Sequence, residues 1–220
     1  MDIAVLLFPR LTVLDAVGPY EVLSRVPGAQ VRFVAARPGP QRSDTGALAL
    51  VADHALADAP APDVVVVPGG PGTRALLADA ETLDWLRGVH RTSRWTASVC
   101  TGSLLLGAAG ILRGLRATCH WRSLPRLAEF GAEPVSQRVV VDGKVITAAG
   151  VSSGIDMALR LAALLAGPET AQAIQLGIEY APEPPFDAGS PATAPPHVVE
   201  AVRRAGEAAE RRAAEDGVPR

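Results

Sequence analysis

Apolar runs of strand length recur along this chain, separated by segments whose apolar positions fall at helical spacing. "IAVLLF" (3–8), "VRFVAA" (31–36), "DVVVVPGG" (63–70) and "TASVC" (96–100) are nearly unbroken hydrophobics, the pattern of strands covered on both faces. Between them, Leu14, Val17, Val22 and Leu23 mark a first helix. The stretch "RALLADAETLDWLRGVHR" supplies one or two more, with Leu76, Leu77, Leu83, Trp85 and Leu86 turned inward. This β-α-β alternation predicts an α/β fold, a mostly parallel central sheet with helices on both faces.

Other patterns refine the outline. "RSDTGALALVADHAL" (42–56) alternates with period two and predicts a strand excursion, while Asp142-Gly143 within "QRVVVDGKVITAAG" (137–150) signals a β-hairpin. "SSGIDMALRLAALLA" (152–166) predicts a helix with Ser152 or Ser153 as N-cap. Pro168 opens another helix, ending near Tyr180. The proline-rich run "APEPPFDAGSPATAPP" (181–196) reads as an extended loop. A charged C-terminal helix follows, with a solvated face and a frayed end. The expected organisation is one domain over 1–196, with the helix of 197–220 packed on it.

Composition narrows the class of partner. In 220 residues, 48% hydrophobic and 20% charged positions describe a folded globular chain. A net charge of -2 with no Lys/Arg-rich block argues against nucleic acid or an anionic membrane and favours a small molecule. The opening "MDIAVLLFPR" lacks a basic start and a small-residue cleavage site, so it reads as a first strand rather than a signal peptide. No apolar run reaches membrane-spanning length. Two cysteines without a dense spacing pattern fit free thiols in a reducing cytoplasm.

Three stretches carry candidate chemistry. In "SVCTGSLLLGAAG" (98–110) a strand ends at Cys100 and Thr101-Gly102-Ser103 opens a helix. That is the arrangement of a nucleophile elbow at the carboxyl end of a sheet, where a helix N-terminus lowers a thiol pKa. The same residue also fits a small buried core cysteine. "VVVVPGGPG" ends a strand in glycines. If it neighbours the Cys100 strand, the N–H groups of Gly70 and Thr101 converge as an oxyanion hole, and otherwise the motif is a tight βα turn. It matches no phosphate-binding fingerprint. In "LTVLDAVGPYEVL", Asp15 follows the first strand among apolar neighbours. There it is either a proton-holding acid facing the thiol or a helix-start residue satisfying backbone donors. Glu21 is the alternative acid.

Together these stretches resemble the DJ-1/PfpI superfamily over nearly the whole chain, and within it the isocyanide hydratase branch. "LLFPRLTVLDAVGPYEVL", "VVPGGPGTRALL", "SVCTGSLLLGAAGILRGLRATCHW" and "IEYAPEPPFDAGSPATAP" carry the likeness. The resemblance implies a flavodoxin-like sandwich and a homodimer without metal or organic cofactor. It implies hydration of an isocyanide to an N-substituted formamide, a hydro-lyase reaction passing through a Cys100 thioimidate. The roles it implies are Cys100 as nucleophile, Asp15 as acid and base, Thr101 beside the cysteine, and Gly69 and Gly70 with Thr101 around the substrate. His120, Trp121 and Val151 are further pocket candidates. Thr101 stands where protease-like members carry histidine, which argues against a peptidase. Cys119 reads as a buried thiol in place of a threonine, and His54, His90 and His197 as surface or structural residues. Tyr180 and Phe186 read mainly as packing aromatics. The rival functions are a glyoxalase-like enzyme and a thiol-based stress or ligand sensor. A transcription-factor sensor half is disfavoured, because the residues after Pro196 are too few for a DNA-binding helix pair.

Overall fold

Side-by-side pairing of the four apolar runs builds the centre of the molecule. The computed structural model describes residues 1–215, so the frayed end expected at the C-terminus lies partly outside the described residues. In chain order, β1 (Asp2–Leu6) leads to α1 (Val13–Leu23), β2 (Gln30–Ala35), the hairpin β3 (Gly39–Arg42) and β4 (Ala49–Ala52), and the two-residue β5 (His54–Ala55). Next come β6 (Val64–Val67), α2 (Thr73–Leu76), α3 (Ala80–Thr92), β7 (Trp95–Val99) and α4 (Gly102–Ala108). The remainder holds β8 (Arg116–Ala117) and β9 (Glu133–Pro134), the hairpin β10 (Val139–Asp142) and β11 (Val145–Ala148), and helices α5 (Ser153–Ala166), α6 (Pro168–Gly177) and α7 (Pro196–Glu215).

A seven-stranded sheet runs in the order β10-β11-β7-β6-β1-β2-β5. Only the β10–β11 pair in it is antiparallel. Val64, Val65, Val66 and Val67 of β6 are fully buried, as a strand at the middle of a doubly covered sheet requires. Each such side chain contributes on the order of 1.5–3 kcal/mol by leaving water. The predicted excursion forms the separate hairpin β3–β4, with β5 returning to the sheet edge.

Local details depart from expectation where geometry outranks residue preference. Asp142 pairs with Val145, so the β10–β11 turn is Gly143-Lys144, one residue later than the Asp142-Gly143 signal suggests. From that turn Lys144 Nζ donates to Ser93 O at 3.0 Å and to His90 O, putting a cation on the free carbonyls at the end of α3. Neither Ser152 nor Ser153 caps α5. Ser152 makes no capping bond, and the Ser153 hydroxyl turns back to Gly150 O. Helix α6 stops at Gly177, before Tyr180, and Glu179 has a left-handed φ of 51°.

Two helices meet at backbone distance beside the carboxyl end of the sheet. A Cβ on Gly18 of α1 would lie 3.1 Å from Ile155 Cγ1, and one on Gly154 would lie 3.3 Å from Pro19 Cδ and 3.1 Å from Val99 Cγ2. Small residues at the crossing let α1 sit down on α5, which fixes the first turn of α1, where Asp15 lies. The chain divides into a unit of Met1–Ile178, which holds the sheet and α1–α6, and a second from Glu179 onward. The second unit contains the proline-rich run and α7; within it Phe186 is 78% exposed. No described helix is long and apolar enough to cross a membrane.

Candidate active site

Cys100 follows β7 with φ of +57°, a left-handed conformation that few non-glycine residues adopt. A residue held there costs on the order of 1–3 kcal/mol, so its surroundings must impose it. Its N–H donates to Ala148 O at 3.1 Å, and the Cys119 thiol donates to its carbonyl at 3.2 Å. Behind the elbow Ser98 Oγ and Ser103 Oγ lie 2.8 Å apart. Ser103 donates to Thr118 O at 2.7 Å and Thr118 N–H to Thr147 Oγ1 at 2.9 Å. These buried bonds tie β7, α4, β11 and the 118–119 segment into one support. Gly102 completes it, since a Cβ there would fall 2.1 Å from Val67 O on the neighbouring strand. Gly102→Ala is therefore expected to destabilise the protein by about 3 kcal/mol, read as a fall in thermal midpoint with activity lost in parallel; an unchanged midpoint would show that β6 and α4 can part.

The glycine turn after β6 lies between this elbow and α1. Gly69 N–H donates to Asp15 Oδ2 at 2.9 Å. A Cβ on Gly69 would meet Thr101 N at 2.5 Å and Asp15 Oδ2 at 3.0 Å, so only glycine lets the three segments close. Asp15 is fully buried and does not cap its own helix; Thr12 holds the N-cap position of α1. Asp15 Oδ1 is buried with no hydrogen-bond partner among the described residues, and the Cys100 thiol lies close enough to the carboxyl to act on its pKa. Burial raises the Asp15 pKa to about 7, opposed by the Gly69 N–H and the Cys100 thiol and assisted by the charge of Asp44.

Two expectations about this site need correction. Burial, then the negative charge of Asp15, pushes the Cys100 thiol well up, and the Thr101 N–H only partly opposes them. The sulfur is thus not held as a free thiolate by α4, a helix of only seven residues; burial and the neighbouring Asp15 carboxyl favour its protonated form. The oxyanion donors also differ. Gly70 N–H donates to Thr101 Oγ1 at 2.9 Å and Gly69 N–H is taken by Asp15, so neither faces open space. The peptide unit that carries the Gly70 N–H is held at its other end, where Gly69 O accepts from Thr12 N–H at 2.9 Å, and the next carbonyl, that of Gly70 with φ of +127°, accepts from Thr73 Oγ1 at 2.8 Å.

The remaining candidates separate into near and far. Glu21 is half-exposed and paired with Arg25 at 2.8 Å. His120 tilts against Trp121 with ring centroids 5.8 Å apart and accepts from Arg122 N–H at 3.4 Å. Burial, helped by Arg122, lowers its pKa and keeps it neutral. Gly150 and Val151 form the turn before α5, a Cβ on Gly150 lying 3.6 Å from His120 Cδ2. Cys119 is buried and its thiol is pushed up to about 12, chiefly by burial. His90 Nδ1 pairs with Thr96 Oγ1 at 2.9 Å, His54 lies partly buried in β5, and His197 is exposed on α7. Among the described residues no cluster of three or more His, Cys, Asp or Glu side chains comes together as a metal site. Thr73 and Asp44 are the site neighbours that sequence reasoning missed. A hydroxyl directly after a glycine turn is a usable signal for Thr73, whereas nothing local links Asp44 to Asp15.

A mostly parallel, flavodoxin-like sheet with a cysteine on a left-handed elbow and a buried carboxyl against it defines a class of thiol-bearing α/β proteins. The chain belongs to the DJ-1/PfpI family, whose model matches residues 1–164. It is 49% identical to the isonitrile hydratase of Pseudomonas putida over 204 residues, 93% of this chain and 89% of that protein. It is 30% identical over 144 residues to the glutathione-independent glyoxalase DJR-1.2 of Caenorhabditis elegans, 64% of this chain and 76% of that one. The crystal structure of a THiJ/PfpI family protein from Pseudomonas syringae superposes with a TM-score of 0.90 at 43% identity, covering 92% of this chain and 84% of that one.

Proposed function

We propose that this protein is a hydro-lyase that converts organic isocyanides to N-substituted formamides, with Cys100 as nucleophile and Asp15 as proton shuttle. The observation that carries the mechanism is the buried Asp15 carboxyl, with one oxygen on Gly69 N–H and the thiol of Cys100 against it. The carboxylate takes the thiol proton as sulfur attacks the terminal isocyanide carbon, and gives that proton to the same carbon. The net step adds S–H across the carbon and leaves a thioimidate, R–N=CH–S. Asp15, again a carboxylate, takes a proton from water as the water oxygen adds to this carbon and passes it to the nitrogen, leaving R–NH–CH(OH)–S on the enzyme. Collapse breaks the C–S bond, releases R–NH–CHO and returns the proton to sulfur. The Thr101 hydroxyl accepts from Gly70 N–H, and its own proton makes only a long 3.3 Å contact with Gly70 O; it turns to the substrate nitrogen.

The likeness to the Pseudomonas putida enzyme supports this substrate class, and the weaker likeness to a glyoxalase supports a second reading, turnover of small dicarbonyls by the same pair. Offering a simple alkyl isocyanide and methylglyoxal to the purified protein separates the two by product. Formamide formation is expected to show kcat/KM rising with pH through a midpoint near 7, because Asp15, whose pKa is raised to about 7, must be ionised to take the thiol proton. A profile flat from pH 5 to 9, or formamide absent, would overturn the reading. We further infer a homodimer, from the family resemblance, working in a reducing cytoplasm, where both cysteines stay free thiols; light scattering that returns a monomer mass would refute the dimer.

A further inference from the structure

Thr12 joins the site to a loop outside it. Its N–H donates to Gly69 O at 2.9 Å, its carbonyl accepts from Asp15 N–H at 3.0 Å, and its hydroxyl donates to Asp44 Oδ2 at 2.9 Å. Asp44 N–H donates to Leu11 O at 2.9 Å, and Leu11 forms an isolated bridge with Ser43. The loop between β3 and β4 is thereby clipped to the segment that begins α1, and its exposed Asp44 carboxylate is joined through Thr12 to the residue whose carbonyl holds Asp15 N–H. The charge of Asp44 is felt at Asp15, where it adds to the upward push on that carboxyl. Among the described residues no ion pair neutralises Asp44. The cations on the segments packed against it are Arg10 and Arg42, both exposed, with the Arg42 guanidinium donating to Gly46 O at 3.1 Å.

We propose that Asp44 makes the Cys100 site selective by charge, admitting neutral and cationic isocyanides and repelling those that carry a carboxylate. This deepens the isocyanide reading and rests on it for the substrate. Asp44 is exposed and joined to the site only through Thr12, so its charge acts through solvent and selectivity of about threefold at low salt is expected, fading at ~1 M salt where screening acts within ~3 Å.

The test uses Asp44→Asn, whose side-chain oxygen still accepts from Thr12, and two reagents of equal chemistry. Neutral iodoacetamide and anionic iodoacetate both form an S–C bond at Cys100 with loss of iodide and of the thiol proton. Their rate ratio therefore cancels any change in thiol ionisation. The preference for iodoacetamide should fall about threefold in Asp44→Asn at low salt, and the two proteins should converge at high salt. An unchanged ratio overturns the charge filter. A second arm compares kcat/KM for a neutral and a carboxylate-bearing isocyanide. Hydration with no difference between the two proteins sinks the filter and keeps the reaction; charge-selective alkylation with no hydration of either isocyanide sinks the reaction and keeps the filter.

Discussion

Cys100→Ala protein forms no formamide above the uncatalysed rate, a loss of at least about a thousandfold, while its fold and thermal midpoint stay close to those of the parent. The elbow does not depend on sulfur. The left-handed backbone is held by the Ala148 carbonyl, the Cys119 thiol and the close approach of Gly102 to Val67, none of which uses the Cys100 side chain. Alanine accepts the same φ of +57° at the same steric cost as cysteine. Steady turnover by the alanine variant would remove the thioimidate from the mechanism, and a collapsed fold would show that the sulfur itself props the turn.

Asp15→Asn should move activity and stability in opposite directions. Without a group to take the thiol proton, kcat/KM is expected to drop by about 10²–10⁴. Stability follows from linkage. The Asp15 pKa is raised from 3.8 to about 7 in the folded protein, so the folded state binds the proton more tightly than the unfolded chain. The parent is therefore favoured by that proton below pH ~4 and loses the advantage as pH rises through ~7. Asparagine carries no such penalty, and its oxygen can still accept from Gly69 N–H. The variant should gain on the order of 4 kcal/mol over the parent at pH 8, with the difference closing by pH 4. Denaturant unfolding at the two pH values reads this directly. A variant that is less stable at pH 8 would mean that the carboxylate is stabilised there by more than Gly69 and Cys100.

The parts of the site set by chain order and steric demand were legible from residues alone. Cys100 at a strand-to-helix junction, glycines closing the neighbouring strand and an acid just after the first strand all converge because parallel strands bring their carboxyl ends together. Protonation and the direction of single bonds were not legible. The thiol pKa is decided by burial against Asp15 rather than by the short α4, and burial of one sulfur is a property of the packed whole. The Gly70 N–H points to Thr101 while Thr12 N–H holds Gly69 O, the other end of the same peptide unit, a three-body contact that no local pattern encodes. The alternation of 42–56 predicts a strand excursion, realised as the hairpin β3–β4, yet the residue that ties it to Thr12, Asp44, sits in the loop, where alternation carries no information. Ser153, the first residue of α5, fails as a cap because Gly150 O takes its hydroxyl.

The crossing of α1 over α5 sets a clearance. Asp15 rides on α1, and α1 rests on α5 through Gly18 and Gly154, where a methyl group would find neighbours at 3.1–3.3 Å. Any larger residue at either position acts as a shim beneath the helix, widening the gap between acid and thiol by tenths of an ångström. Every reacting atom would still be in place, and the protein could silence its chemistry from a contact that touches neither substrate nor sulfur.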